Sequence, residues 1–284
     1  VPNLCILTDS TAQFPTRSFR GQDRVNVIPI SVSLPDRPEL SPEQIKTAHL
    51  PASLGTGSRP LITFPSTERF VKAFDYLASK YDQIMVVLSS GHLSPLVKHA
   101  RAAAEAVRGK IEIEVIDSHS ASVGLGLLVQ TATAAAEDGL DLREAKRVVL
   151  GTAPHIYSVF CVRGLSYLES QGFLDHAQAW AGEQQGVFPF YVLEKGRLIP
   201  ALKIRNARHM VDCLHEFVTE FSDLHHIALL QGIPAFEQES RGFRERVRED
   251  FGDTPISEHT IEPGLAAILG PKTLGMFVWE DPEE

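Results

Sequence analysis

Residues 84–88, Ile-Met-Val-Val-Leu, form an unbroken apolar run. A strand covered on both faces carries such a run, whereas most helices are longer. Ser89-Ser90-Gly91 follows, and Ser94-Pro95 then opens an alanine-rich segment ending near Val107. Serine at the N-cap with proline in the first helical position marks a helix start. The pattern predicts a strand, a polar loop and a helix. Open α/β sheets bind ligands at such carboxyl ends, and free amides at a helix start favour anions.

The same alternation organises the rest of the first half. Residues 4–7 read as a buried strand leading into Asp9-Ser10-Thr11, and residues 25–29 and 31–34 as further strands. Residues 35–59, rich in Pro, Ser, Gly and Asp, read as an exposed excursion with one helical patch at 42–49, and residues 60–65 as a short extended segment. Ser66 caps a helix whose Phe70, Val71, Phe74, Leu77, Ala78 and Tyr81 share one face. A strand over 111–116 ends in Asp117-Ser118, and helices follow over 121–137 and 142–150.

Beyond residue 155 the pattern is less regular: a strand over 156–162, a short helix over 165–174 ending at Gly172, and a hairpin of 188–193 and 198–204 about Glu194-Lys195-Gly196. A helix over 207–222, a strand over 226–230, a charged helix over 236–251 and a closing strand over 273–279 complete it. The expected class is α/β with two domains, 1–153 mainly parallel and three-layered, 154–284 with a mixed sheet, divided near residues 152–155.

Three strands of the first half end in like chemistry: Asp9-Ser10-Thr11, Ser89-Ser90-Gly91 and Asp117-Ser118-His119-Ser120. In a parallel sheet these ends share one edge, so their hydroxyls converge on a polar crevice. Each is also an ordinary turn or cap sequence. Ser94 reconciles the two readings: as a cap its oxygen accepts from the helix while its proton remains free to donate. Asp9 and Asp117 read as structural caps before they read as a catalytic carboxylate pair.

Net charge is −9 over 284 residues, which disfavours nucleic acid or an anionic membrane as the main partner. Cys5, Cys161 and Cys213 are too few and too scattered for a disulfide framework or zinc spacing, and the first two lie in apolar runs that suit small core residues. No cationic leader with a long apolar region opens the chain and no stretch of about 18 residues is free of polar groups, so a cytoplasmic protein without a membrane span is expected. There is no G-x-x-x-x-G-K-[ST] or G-x-G-x-x-G phosphate loop after a strand and no G-x-S-x-G elbow. Gly124-Leu125-Gly126 reads as a close helix approach. His225-His226 lack the partners of a metal site, and no cofactor or metal is assigned.

The segments ILTDSTAQFP, VNVIPISV, TFPSTERF, SSGHLSPLVKHA, VIDSHSASVGLGLL, LSYLESQGFL, LEKGRLIPALKIRNARH and GPKTLG, in this order and spacing, resemble the DegV family across most of the chain. The resemblance implies a two-domain α/β protein that buries a long-chain fatty acid between its domains. It also implies a carrier that presents the acyl carboxylate to a separate kinase subunit resembling dihydroxyacetone kinase, with no catalysis of its own. On that reading Ser94 grips the carboxylate. Ile62-Thr63-Phe64-Pro65-Ser66 stands where the family has T-S-Q-P-S, so Thr63 keeps the second hydroxyl and Ile62 has lost the first. Gln171-Gly172-Phe173-Leu174 replaces a G-G-R-[IL] pattern, so Phe173 stands for an arginine; Ile268 stands for the histidine of H-T-G-P-G, unless His259 reaches in. The expected ligand contacts are therefore Ser94, Thr63, Ile62, Ser90, Phe173 and Ile268. The apolar replacements keep open a second reading, a divergent member that takes another apolar ligand or acts as a regulatory partner. A hydrolase or phosphotransferase is disfavoured because no nucleophile–base pair stands at a recognisable spacing.

Overall fold

A computed structural model describes residues 3–55, 59–252 and 254–281. The chain divides into two compact units, one of residues 1–31, 63–154 and 195–197, the other of residues 32–62, 155–194 and 198–284.

The first unit is built on β1 (Leu4–Asp9) and β2 (Val25–Ile28). The chain then leaves through β3 (Ser31–Ser33) and returns through β4 (Leu61–Thr63). Next come α1 (Thr67–Ala78), β5 (Gln83–Leu88), α2 (Leu96–Ala106), β6 (Glu112–Asp117), α3 (Ser122–Glu137) and α4 (Leu142–Thr152). The sheet order is β2-β1-β5-β6 with every pair parallel. Ile84–Leu88 of the interior strand β5 are all 0% exposed. Ile84, Val86 and Leu88 face Phe70, Phe74 and Leu77 of α1 and Leu96, Val97, Ala100 and Ala103 of α2, while α3 and α4 pack on the sheet as well. The i, i+4, i+7 spacing of Phe70, Phe74 and Leu77 puts them on one stripe, and burying each contributes roughly 1.5–3 kcal/mol. Ser66 caps α1 as expected, accepting from Arg69 N. Gly126 of α3 lies so close to the β1–β2 connection that a Cβ would fall 2.0 Å from the Gln13 carbonyl oxygen, which accounts for a glycine there.

The second unit continues with β7 (Ile156–Cys161), α5 (Leu165–Ser170), α6 (His176–Gln184), β8 (Phe188–Glu194), β9 (Arg197–Ile204) and α7 (Ala207–Thr219). It closes with β10 (Leu224–Gln231), α8 (Glu237–Phe251), β11 (Ile256–Thr260), α9 (Pro263–Leu269) and β12 (Leu274–Glu280). The sheet order is β11-β10-β12-β7-β8-β9, with β10–β11 parallel and the β10–β12, β12–β7 and β7–β8 pairs antiparallel. The mixed sheet matches the expectation. Cys5 and Cys161 are fully buried, and burial pushes both thiols up to about 12, so neither is a nucleophile.

Three elements escape the periodicity: α6, β11 and α9. The α6 helix buries only Ala179 and has no apolar stripe, β11 is a half-exposed edge strand, and α9 is apolar on every side. The excursion over 35–59 is not simply exposed. Its helical patch is a pair of 3-10 turns, Pro42–Gln44 and Thr47–His49, and Ile45, Leu50 and Leu54 are buried. Long-range bonds anchor it in the second unit: Thr47 Oγ1 donates to Ile261 O at 2.5 Å, Tyr167 Oη to Pro51 O at 2.6 Å, and Leu54 N to Ser166 Oγ at 2.8 Å. The predicted helix over 165–174 ends at Ser170, where Gly172, at φ 78°, turns the chain.

Candidate functional site

The register of the first sheet levels the three strand ends. Leu88 pairs with Asp117, and Leu7 pairs with Val86. The loops they carry are cross-bonded. Asp9 is 0% exposed; its Oδ2 accepts from Ser89 N at 2.8 Å, and its Oδ1 accepts from Thr11 N at 3.0 Å and from the Thr11 hydroxyl. Asp117 accepts from Gly91 N at 3.2 Å and from His119 N at 3.0 Å. Ser90 N donates to Ser120 O at 2.8 Å. Both carboxylates therefore hold loops rather than cap the following helices, and neither is placed as a free acid or base.

Ser90 is fully buried and its hydroxyl is committed: it donates to Gly196 O at 2.7 Å and accepts from His92 N at 3.1 Å. A Cβ on Gly196 would fall 2.4 Å from Ser90 Oγ, so residue 196 must be glycine for this bond to form. His119, Ser122 and Lys195, all in this unit, are the non-glycine residues with left-handed backbone among those described, at φ 51°, 49° and 48°. Such conformations cost roughly 1–3 kcal/mol each and gather where surrounding structure dictates a loop's shape.

Ser94 differs. It is 9% exposed, Ser94 N donates to Ser90 O at 3.2 Å, and Ser94 Oγ lies 3.5 Å from Leu96 N, the outer limit of a hydrogen bond. The helix starts one residue later than predicted, with Pro95 in the cap position, so the Ser94 oxygen is a weak cap and its proton donates to no described group. Thr63 is exposed at the end of β4. His99 Nδ1, a full turn into α2, lies 2.8 Å from Pro65 O; a carbonyl there requires the proton on Nδ1 and ties the Thr63–Ser66 turn to α2. No local pattern announces this tie, because the partners are 34 positions apart. Thr8 Oγ1 and Ser120 Oγ are buried without a hydrogen-bond partner among the described residues.

Ser90, Ser94 and Thr63 thus belong to the first unit, while Ile62, Phe173 and Ile268 belong to the second. Ile62 and Phe173 are half-buried, and Ile268 is 3% exposed in the interior of α9. His259 is bonded through Nε2 to Ser257 Oγ at 3.0 Å, and burial lowers its basicity. Within the second unit a cleft of about 1070 Å³ has an apolar lining that includes Leu165, Leu174, Ala181, Val187 and Tyr191, with Lys203, Arg205 and His209 also on its walls. No group of three or more metal-ligating side chains occurs among the described residues.

The model of a family described as uncharacterised protein, DegV family, matches residues 3–281. The chain belongs to the DegV family. A DegV domain-containing protein of Streptomyces coelicolor is 29% identical over 285 residues, covering 97% of this chain and 98% of that one. Among solved structures, a fatty-acid-binding DegV family protein of Thermus thermophilus is 23% identical with a TM-score of 0.81, covering 98% of this chain and all of the other. The fatty acid kinase B3 protein of Streptococcus pneumoniae, loaded with linoleic acid, is 19% identical with a TM-score of 0.80 over 98% of this chain and all of the other. These likenesses establish the DegV fold for both units. No helix among the described residues is long and apolar enough to cross a membrane.

Proposed function

We propose that this DegV chain is a non-catalytic carrier that binds a long-chain fatty acid and holds its carboxylate at Ser94 and Thr63. The observation that carries the reading is the Ser94 hydroxyl: largely buried, beside the first amides of α2, with a proton given to no described group. First-turn amides have no intrahelical acceptor, and a carboxylate there gains charge-assisted hydrogen bonds together with the favourable end of the helix dipole. The tie from His99 to Pro65 supports pairing Thr63 with Ser94, and Ser90 serves by holding the loop through Gly196 O. Ile62, Phe173 and Ile268 are counted among the residues that meet the acyl chain. The lipids bound by the Thermus and Streptococcus proteins support this ligand class.

Presenting the acid to a dihydroxyacetone-kinase-like subunit is the role that fits a binder whose Asp9 and Asp117 carboxylates are engaged in holding loops. A second reading, an apolar ligand without a charged head or a regulatory partner, is favoured by the apolar side chains of Phe173 and Ile268. Native mass spectrometry and solvent extraction of the purified protein separate the two. Recovery of a fatty acid, with thermal stabilisation by acids over matched alcohols, is the expected result. Recovery of no lipid, with no stabilisation at any chain length, removes the carrier reading.

A further inference from the structure

Arg163 follows β7, where the chain turns toward α5, and its side chain is exposed. Its guanidinium carbon lies 4.3 Å from the centre of the Phe188 ring and 5.5 Å from that of Phe236. Phe236 is itself 8% exposed, so one of the two rings is part of the packed core. Among the described residues no acid and no hydrogen-bond acceptor meets this guanidinium. Contact with ring faces leaves the in-plane N–H groups available, and a planar fork of donors matches the geometry of a carboxylate or a phosphoryl group.

A second cation stands on a neighbouring loop. Lys272, half-buried, has no acid or acceptor against its ammonium among the described residues. Three loops of this unit are in contact there. A Cβ on Gly270 would lie 3.5 Å from Gly164 O, so the loop bearing Lys272 rests on the loop bearing Arg163. Ile233 N donates to Pro271 O at 2.7 Å, and a Cβ on Gly232 would come within 2.7 Å of the Lys272 carbonyl carbon. The 231–236 loop, bonded in this way to the Lys272 loop, is the one that delivers Phe236 to Arg163. Glycines at 164, 232 and 270 make these close approaches possible.

Within the same unit Arg244 pairs with Glu258, and Arg246 with Asp212 at 2.7 Å, whereas Arg163 meets aromatic rings. Rings that hold a guanidinium in place reduce the ordering cost of binding to it. We infer that Arg163 and Lys272 form an oxyanion-binding site on the loops of the second unit, taking a carboxylate or phosphoryl group. Two sources carry that chemistry: the head group of a bound lipid, or a free phosphate.

Arginine-selective modification with phenylglyoxal, mapped by peptide mass spectrometry on the intact wild-type chain in phosphate-free buffer, tests this. The probes are inorganic phosphate, palmitate and the matching fatty alcohol. At least fivefold slower modification of Arg163 with phosphate alone supports the site and assigns free phosphate. The same slowing with palmitate but not with the alcohol supports it and assigns a lipid head group. No protection by either anion overturns the inference. Palmitate binding without protection overturns this site and leaves the carrier reading standing, whereas phosphate protection in a protein that binds no lipid does the reverse. Arg163→Gln is expected to weaken the protecting anion at least tenfold and Arg163→Lys less, because lysine keeps the charge and loses the fork. Should Arg163→Gln fail to fold, labelling of the wild type still decides.

Discussion

At the strand ends of the first unit Asp9 spends both carboxylate oxygens on two amides and a hydroxyl, whereas at a strand end of the second unit Arg163 lies against two phenylalanine rings with no acid against it among the described residues. Both loop clusters are polar and both adjoin helix starts, yet they are in opposite states. The carboxylates of the first are saturated by their own backbone, and a saturated group positions a loop. The cations of the second meet no acid among the described residues, and their N–H donors remain available. Ser94 is one of the hydroxyls of the first cluster, with Thr8 and Ser120, whose proton meets no described group, and it is the one beside a helix start. Function is therefore read from what remains unbonded, and the abundance of Ser and Asp at the first sheet edge overstates its chemistry.

The comparison breaks most readily at Asp9. Asp9→Ala leaves the amides of Ser89 and Thr11 without their acceptor in a buried site, and a loss of about 3 kcal/mol in urea unfolding is expected. A loss below about 1 kcal/mol would mean that the loop does not depend on the carboxylate. Ser94→Ala sharpens the contrast from the other side. Stability should move by no more than about 0.5 kcal/mol, because the cap bond is long, while affinity for palmitate falls about tenfold, equivalent to about 1.4 kcal/mol, and affinity for the alcohol holds. Equal loss for acid and alcohol would remove Ser94 from the head-group grip. Arg163→Gln should cost less than about 1 kcal/mol in thermal unfolding, the scale of an exposed cation–π contact, because no ion pair is broken.

The smallest effect concerns pH. His226 lies on β10 with Nε2 2.8 Å from Ser257 Oγ, and burial, followed by the neighbouring His225 and His259, lowers it to about 4. A histidine depressed below its unfolded value of about 6.5 favours the folded state when neutral, so its contribution is complete above that pH and is lost as pH falls toward 4. His226→Gln should flatten the fall in urea midpoint between pH 7 and 4.5. An unchanged slope would show that other groups govern acid sensitivity.

How far the residues foretold all this depends on burial. Phe70, Phe74 and Leu77 announced α1 because one face carries the packing, and Ile84–Leu88 announced an interior strand because both faces do. The α6 helix has a legible capping box, Asp175 with Gln178, yet lacks an apolar stripe and so leaves no period to detect. The segment over 35–59 carries Pro, Gly and Ser in turn-like density, and its buried Ile45, Leu50 and Leu54 are too sparse to form a pattern. At the candidate site the strand–loop–helix order was visible locally. That Ser90 gives its proton to Gly196, 106 positions away, was not, because hydroxyl commitment is a three-dimensional property.

Local order in this chain was decided by apolar periodicity, by caps such as Ser66 and by motif spacing, since those forces act between near neighbours along the backbone. They determined the α/β class, the parallel first sheet and membership of the DegV family. Tertiary structure decided which polar groups are spent and which remain. Asp9, Asp117 and Ser90 find acceptors or donors only when three strand ends are brought level, and Arg163 is held by rings from positions 188 and 236. A hydrogen bond or a counter-ion between distant residues is set by packing geometry, and short-range sequence carries no record of it.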